Sequence, residues 1–145
     1  MKSKIKFKKI KIDQNGCHLL VKVKLNSKPA LLVLDTGASQ TVLDYHVAST
    51  ISKNKAKRLD DASSTGVGGE LLQSHLLKVE KFHIGDVIIH DNYFVLLDLQ
   101  HVNAQYERIG KYKIQGVLGG DILNAFDAVI DYKKNELVFS YKKSR

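Results

Sequence analysis

The sequence predicts an all-β fold, a barrel or sandwich of short strands, and three observations carry that expectation. Apolar stretches of strand length recur between Gly and Asn turn signals, at the spacing of about 8–12 residues seen in such folds. The first of these stretches alternates apolar and basic residues, which is the period of a half-buried strand. Finally, the chain of 145 residues shows no internal repeat and no Pro- or Ser-rich linker, so residues 1–145 are expected to form one domain.

The elements follow in order. Residues 4–12 alternate, with Ile5, Phe7, Ile10 and Ile12 set among lysines. Asp13-Gln14-Asn15-Gly16 is a turn, and Asn-Gly is the strongest short hairpin signal. Residues 17–25 form the return strand, and Asn26-Ser27-Lys28-Pro29 turns again. Residues 30–34 are continuously apolar, as in a strand covered on both faces. A short helix is expected around 44–50, and the basic stretch 53–58 reads as a surface loop. Residues 60–77 read as a hairpin with Gly66-Val67-Gly68-Gly69 at its tip. Strands are expected at 78–84 and 87–97, broken at Gly85-Asp86. Residues 98–113 are polar and irregular and read as a long loop. Residues 114–118 are apolar, and Gly119-Gly120 opens a short helix at 121–126. Residues 128–132 and 136–141 make a last hairpin through Lys133-Lys134-Asn135.

Composition narrows the function classes. The chain is 43% hydrophobic and 26% charged, ordinary for a folded soluble domain. Its single Cys17 cannot form an internal disulfide, and no Cys-x-x-Cys or His-Glu-x-x-His spacing occurs. His18, His46, His75, His83, His90 and His101 are scattered singly, so neither a metal nor a cofactor is expected. The net charge of +8 is concentrated at the two ends. The lysines at 2–11 alternate with apolar residues as a solvated strand face does, and no RNA-binding aromatic motif accompanies them, so no nucleic-acid partner is expected. No stretch approaches the ~20 apolar residues of a membrane span. No apolar run follows the basic start as a secretory signal requires, and the expected location is the cytoplasm.

The chemistry is concentrated where the apolar run ends. Leu31 to Leu34 want burial, and Asp35 follows directly. A carboxylate there is costly unless hydrogen bonds receive it. Gly37 lets the chain turn sharply and brings backbone N–H groups near. The hydroxyls of Thr36 and Ser39 are donors within reach of such a turn. A plain Asx-turn at a strand end would use the same residues. A second element, Gly116-Val117-Leu118-Gly119-Gly120-Asp121-Ile122-Leu123, then adds weight to a site.

Leu31-Leu32-Val33-Leu34-Asp35-Thr36-Gly37-Ala38-Ser39, continuing Gln40-Thr41-Val42-Leu43, resembles the active-site segment of retropepsins, the retrovirus-type aspartic proteases. Val117-Leu118-Gly119 resembles their second signature, and Thr65 to Glu70 stands where the family has its flap. The closing Ala128–Tyr132 and Leu137–Phe139 are similar to non-viral members. The resemblance spans about residues 17–141. It implies a closed, six-stranded acid-protease barrel, half of a pepsin-like fold, with one short helix near the C-terminus.

It also implies an aspartic endopeptidase acting on a peptide or protein substrate. Asp35 would be the catalytic carboxylate, Thr36, Gly37, Ala38 and Ser39 its support, and Gly66, Val67, Gly68 and Gly69 the flap. Val117, Leu118 and Gly119 would form the floor of the pocket. Two such carboxylates share one proton, one acting as base toward water and the other as acid toward the substrate carbonyl. The chain has one Asp-Thr-Gly, so the second carboxylate must come from a second copy, in a two-fold homodimer. Ser39 and Gly120 stand where viral members commonly carry Asp and Arg, which removes the viral salt bridge. The basic N-terminal strand would join a terminal sheet at the dimer interface, as in viral members. A catalytically silent peptide-binding module is the alternative reading.

Overall fold

A computed structural model describes residues 1–12, 14–51, 57–58, 75–110 and 112–142. The first strand, β1 (Lys2–Lys11), buries Ser3, Ile5, Phe7 and Ile10 and turns its lysines outward. The alternation slips at Lys8-Lys9, and the strand changes partner beside that slip. Phe7 to Lys11 pair with β2 (Cys17–Leu25), whereas Lys2 to Lys6 reach another part of the chain. The turn between β1 and β2 is closed by the Ile12 N–H donating to the Gly16 carbonyl at 3.0 Å.

β2 returns antiparallel against β3 (Lys28–Leu34) through a turn in which Asn26 and Ser27 both have positive φ. Then come β4 (Val42–Asp44), a single 3-10 turn at Tyr45–Val47, and α1 (Ala48–Ile51). The basic stretch expected as a loop contributes a two-residue strand, β5 (Lys57–Arg58), paired antiparallel with β6 (His75–Ile84). A tight turn at Gly85, where φ is +58°, leads into β7 (Val87–Leu97).

Residues 98–113 depart from expectation. Instead of a loop they contain a helix, α2 (Gln100–Ile109). Its inner stripe is Leu99, Val102 and Tyr106, at the spacing of one helix face, in a segment that is otherwise polar. Asn103 fixes it in place. Its amide donates to the Ile114 carbonyl at 2.9 Å, and its carbonyl accepts the Ile114 N–H at 2.6 Å. The chain closes with β8 (Gly116–Leu118), α3 (Gly120–Ala125), β9 (Val129–Asp131) and β10 (Glu136–Ser140).

The strands close on themselves. Among the described residues, β2, β6, β7, β4, β8 and β3 form a ring in that order, mixed parallel and antiparallel, and β3 pairs back with β2. This is the six-stranded barrel expected, with the short helix α3 near its C-terminal end. β1, β10 and β9 extend the sheet beyond β2. β1 pairs with β10 of the same chain, from Lys2↔Ser140 to Lys6↔Glu136. The outer half of the N-terminal strand is thus paired within its own chain, along one edge, with β10.

The main core fills the ring. Leu32, Leu43, Phe82, Phe94, Leu118 and Phe139 are wholly or almost wholly buried in it. A smaller cluster of Ile10, Leu20, Tyr106 and Ile114 lies apart from it, with Val33 and Val102 packed alongside. That cluster explains why β3 is apolar on both faces: Leu32 and Leu34 belong to the main core, and Leu31 and Val33 pack against the second. No helix among the described residues is long and apolar enough to cross a membrane.

Candidate active site

Asp35 sits where β3 leaves the barrel. β3 runs parallel to β8, with Val33 opposite Val117 and Leu34 opposite Leu118. The Asp35 N–H continues that ladder by donating to the Leu118 carbonyl at 3.0 Å. The chain then turns, and the Ala38 N–H donates back to the Asp35 carbonyl at 3.2 Å. Inside the turn the Gly37 N–H donates to Asp35 Oδ1 at 2.9 Å. The absent side chain matters here, since a Cβ on Gly37 would stand 3.2 Å from that same oxygen. Asp35, Thr36 and Gly37 are exposed, so the carboxylate faces open space in the single chain.

In the single chain, no hydrogen bond among the described residues runs from the Thr36 or Ser39 hydroxyl to the Asp35 carboxylate. Among the described residues, the Gly37 N–H is the hydrogen-bond donor at the Asp35 carboxylate. Ser39 contributes through its backbone instead, its carbonyl accepting the Asp121 N–H at 3.1 Å.

The second motif is bolted onto the Asp35 loop. The Gly120 N–H donates to the Ala38 carbonyl at 2.7 Å. Thr41 and Asp121, on opposite sides of the junction, supply the other bolts. Thr41 donates to Asp121 Oδ1 twice, from its N–H at 2.9 Å and from its hydroxyl at 2.7 Å. The same hydroxyl accepts the Gly119 N–H at 2.9 Å. Gly119 is required by closeness, because a Cβ there would lie 2.7 Å from the Gln40 backbone and 2.9 Å from the Ala38 carbonyl. These contacts occupy the places of Ser39 and Gly120, where a side-chain salt bridge was ruled out by sequence. Of the expected floor residues, Val117 lines a cavity with Asp35, while Leu118 is wholly buried in the core and Gly119 packs against the loop.

That cavity holds about 350 Å³. Val33, Leu34, Asp35, Thr36 and Val117 form one side, and Val102, Gln105 and Tyr106 of α2 form another. Cys17, His18 and Leu19 of β2 and Ile130 and Tyr132 near β9 complete it. Tyr106 Oη lies 2.5 Å from His18 Nδ1, a hydrogen bond whose donor depends on the imidazole tautomer. Burial, and then the negative charge of Asp35, push the Tyr106 phenol above its ordinary pKa, so it stays protonated. The sequence signal for this wall was faint: one aromatic at the right phase of a polar segment.

A larger hollow of about 680 Å³ lies elsewhere, lined by Asp44, His46, Gln100, Asn103 and Glu107, without Asp35. Asp44, His46 and Asp98 bring possible ligand atoms within 4.8 Å of one another, Asp44 buried and the other two exposed. Structural bonds already engage them. Asp44 Oδ1 accepts the Leu99 N–H at 3.2 Å where α2 begins, and His46 Nε2 lies 3.3 Å from Asp98. The expected flap, Gly66, Val67, Gly68 and Gly69, lies outside the described residues.

Comparison with known proteins places this geometry. The family model described as aspartyl protease matches residues 21–122. No curated protein matches the sequence. Among solved structures, a retropepsin-like aspartic protease from Rickettsia conorii superposes with a TM-score of 0.59 at 19% identity, covering 97% of this chain and 91% of its own. The retroviral protease-like domain of Ddi1 from Leishmania major gives 0.57 at 16% identity, covering 86% and 90%. EIAV protease, in complex with the inhibitor HBY-793, gives 0.51 at 18%, covering 78% and 91%. At these identities the likeness is one of fold, and the fold is retropepsin-like.

Proposed function

Since this chain belongs to the aspartyl protease family, we propose that it is an endopeptidase whose catalytic carboxylate is Asp35, working as a two-fold homodimer. The observation that carries the reading is the state of Asp35 itself. The residue stands exposed on a loop pinned to the second motif by backbone bonds and by Thr41 and Asp121, and the chain has one Asp-Thr-Gly. A pinned, open carboxylate fits a half-site awaiting its second half.

In the dimer one Asp35 is ionised and takes a proton from a water held between the two. The water oxygen attacks the substrate carbonyl carbon, and the protonated Asp35 gives its proton to the carbonyl oxygen. As the C–N bond breaks, the Asp35 that took the water proton gives it to the nitrogen, which leaves as an amine; the other Asp35 regains a proton from a hydroxyl of the tetrahedral intermediate, which becomes the carboxylic acid product. Like charges that close cannot both ionise easily, so the pair holds one proton jointly, the arrangement for which aspartic proteases are the standing example. The substrate is a peptide or protein in extended form, and residues 66–69 would close over it as a flap. We read residues 1–145 as one domain, supported by the pairing of the first long strand with the last.

The test is a digest of a peptide mixture, comparing wild type with Asp35→Asn at high protein concentration from acid to neutral pH. Cleavage by wild type alone supports the reading. Cleavage by neither, with a dimer demonstrated by sedimentation, shifts the weight to a module that holds peptides without cutting them.

A further inference from the structure

We propose that helix α2 is the substrate-selecting wall of the cleft, and that Tyr106, tied to His18, limits the size of the substrate side chain that sits beside Asp35. The proposal rests on the reading of Asp35 as the protease carboxylate. It assigns a role to the segment that the catalytic chemistry leaves unused.

One cavity joins the two parts. Asp35 and Thr36 lie in the same lining as Val102, Gln105 and Tyr106, so a residue held next to the scissile bond meets α2. The volume, about 350 Å³, is at the lower end of the ~300–1,000 Å³ of ligand pockets, suited to a side chain rather than a whole ligand. Leu19, Val33, Val102, Val117 and Ile130 supply hydrocarbon walls beside the polar groups of His18, Asp35, Thr36 and Gln105, and the hydrocarbon part suits an apolar side chain.

The limit is rigid as well as close. Tyr106 is 4% exposed, and its ring packs with Ile10, Leu20 and Ile114. Its hydroxyl is held by His18 at 2.5 Å, with the two rings 5.6 Å apart. Asn103, one turn earlier, clamps α2 to the Ile114 backbone on both sides of the amide. A wall held at three points selects by size, because it cannot give way to a larger guest. The charge of Asp35 reaches the Tyr106 phenol across the cavity that both line.

The experiment uses the full chain and one mixture of peptides that differ at a single residue flanking the scissile bond: leucine, phenylalanine or naphthylalanine. The readout is the ratio of kcat/KM for naphthylalanine over leucine, which does not depend on how much enzyme is folded. Tyr106→Ala is expected to raise that ratio by about ten- to a hundredfold. Val102→Phe, a narrowing change that leaves Tyr106 in place, is expected to lower it. The same peptides are titrated onto Asp35→Asn, alone and combined with each change, for an affinity ratio that needs no cleavage. Cleavage with unchanged ratios in both variants overturns the role of α2 and leaves the protease standing. Absent cleavage with a shifted affinity ratio overturns the protease reading and keeps the pocket. Absent cleavage with no shift overturns both.

Discussion

The hydroxyl of Thr41 donates to the carboxylate of Asp121 at 2.7 Å across the junction between the Asp35 loop and the second motif. Thr41 is buried, and its oxygen also receives the Gly119 N–H. One small side chain therefore joins the Asp35 loop to the second motif at two points, and its removal leaves the buried Gly119 N–H without its acceptor. Thr41→Val keeps the shape and deletes the hydroxyl. It is expected to lower stability by about 1–3 kcal/mol, the cost of leaving buried polar groups unpaired. Denaturant unfolding measures this, and an unchanged midpoint would show the bolt to be dispensable.

Gly119 and Gly120 are neighbours with opposite tolerance. A methyl at 119 meets backbone atoms of Gln40 at 2.7 Å, which cannot swing aside, whereas at 120 the nearest atom is an ordinary 3.4 Å away. Gly119→Ala is expected to cost about 1–3 kcal/mol through overpacking. Gly120→Ala is expected to stay within about 0.5 kcal/mol of wild type. Paired thermal melts check the contrast, and equal losses would contradict it.

Asn103 carries the attachment of α2. Replacing it with alanine removes both bonds to Ile114 and leaves that backbone unpaired. The expected loss is about 1–3 kcal/mol, concentrated locally. Hydrogen exchange is the decisive measurement: amides of residues 100–109 should lose protection while those of β2 and β3 keep theirs. Uniform loss would mean that α2 unfolds only with the whole.

The phenol of Tyr106 makes alkaline stability a reporter of its surroundings. Its pKa is raised in the folded state by burial first and by Asp35 second. The folded state therefore holds the proton more tightly than the unfolded state. The associated stability is full below the ordinary tyrosine value of 10.0 and is lost as pH rises from there through the folded value. Tyr106→Phe should flatten this alkaline decline. Asp35→Asn should shrink it, leaving the part due to burial. Unfolding curves collected across the alkaline range, with tyrosinate absorbance alongside, distinguish these cases. An identical decline in wild type and Tyr106→Phe would place its origin elsewhere.

Much of this architecture was legible beforehand, for physical reasons that differ by element. The hairpin of residues 4–25 announced itself through alternation and Asn15-Gly16, because a two-residue period and an Asn-Gly turn signal are local properties. The Asp35 loop was legible through the run Asp35-Thr36-Gly37-Ala38-Ser39 at the end of an apolar strand, although the burial cost expected for the carboxylate does not arise in the single chain, where Asp35 is exposed. Helix α2 was not, because its stripe is only Leu99, Val102 and Tyr106, and the bonds that hold it run from Asn103 to Ile114. The parallel pairings of β3 with β8 and of β4 with β7 leave no local trace, since each joins strands far apart in the chain. The support expected from the Thr36 and Ser39 hydroxyls rested on reach and on the family resemblance, and neither fixes which donor a turn uses. The turn spends its shortest path on the Gly37 N–H instead.

The pairing of Lys2–Lys6 with Glu136–Ser140 sets a condition on how the chain comes to be folded. On the ribosome the first strand emerges long before the strand that completes it. Until residues 136–140 have emerged, the outer half of β1 lacks that partner strand, its lysines outward and Ser3 and Ile5 waiting for cover. Contacts between such distant segments are slow to close. Exposed edges of this kind are where nascent chains go astray. The row of lysines along that strand carries the charge that discourages pairing with a neighbour before Glu136–Ser140 are in place.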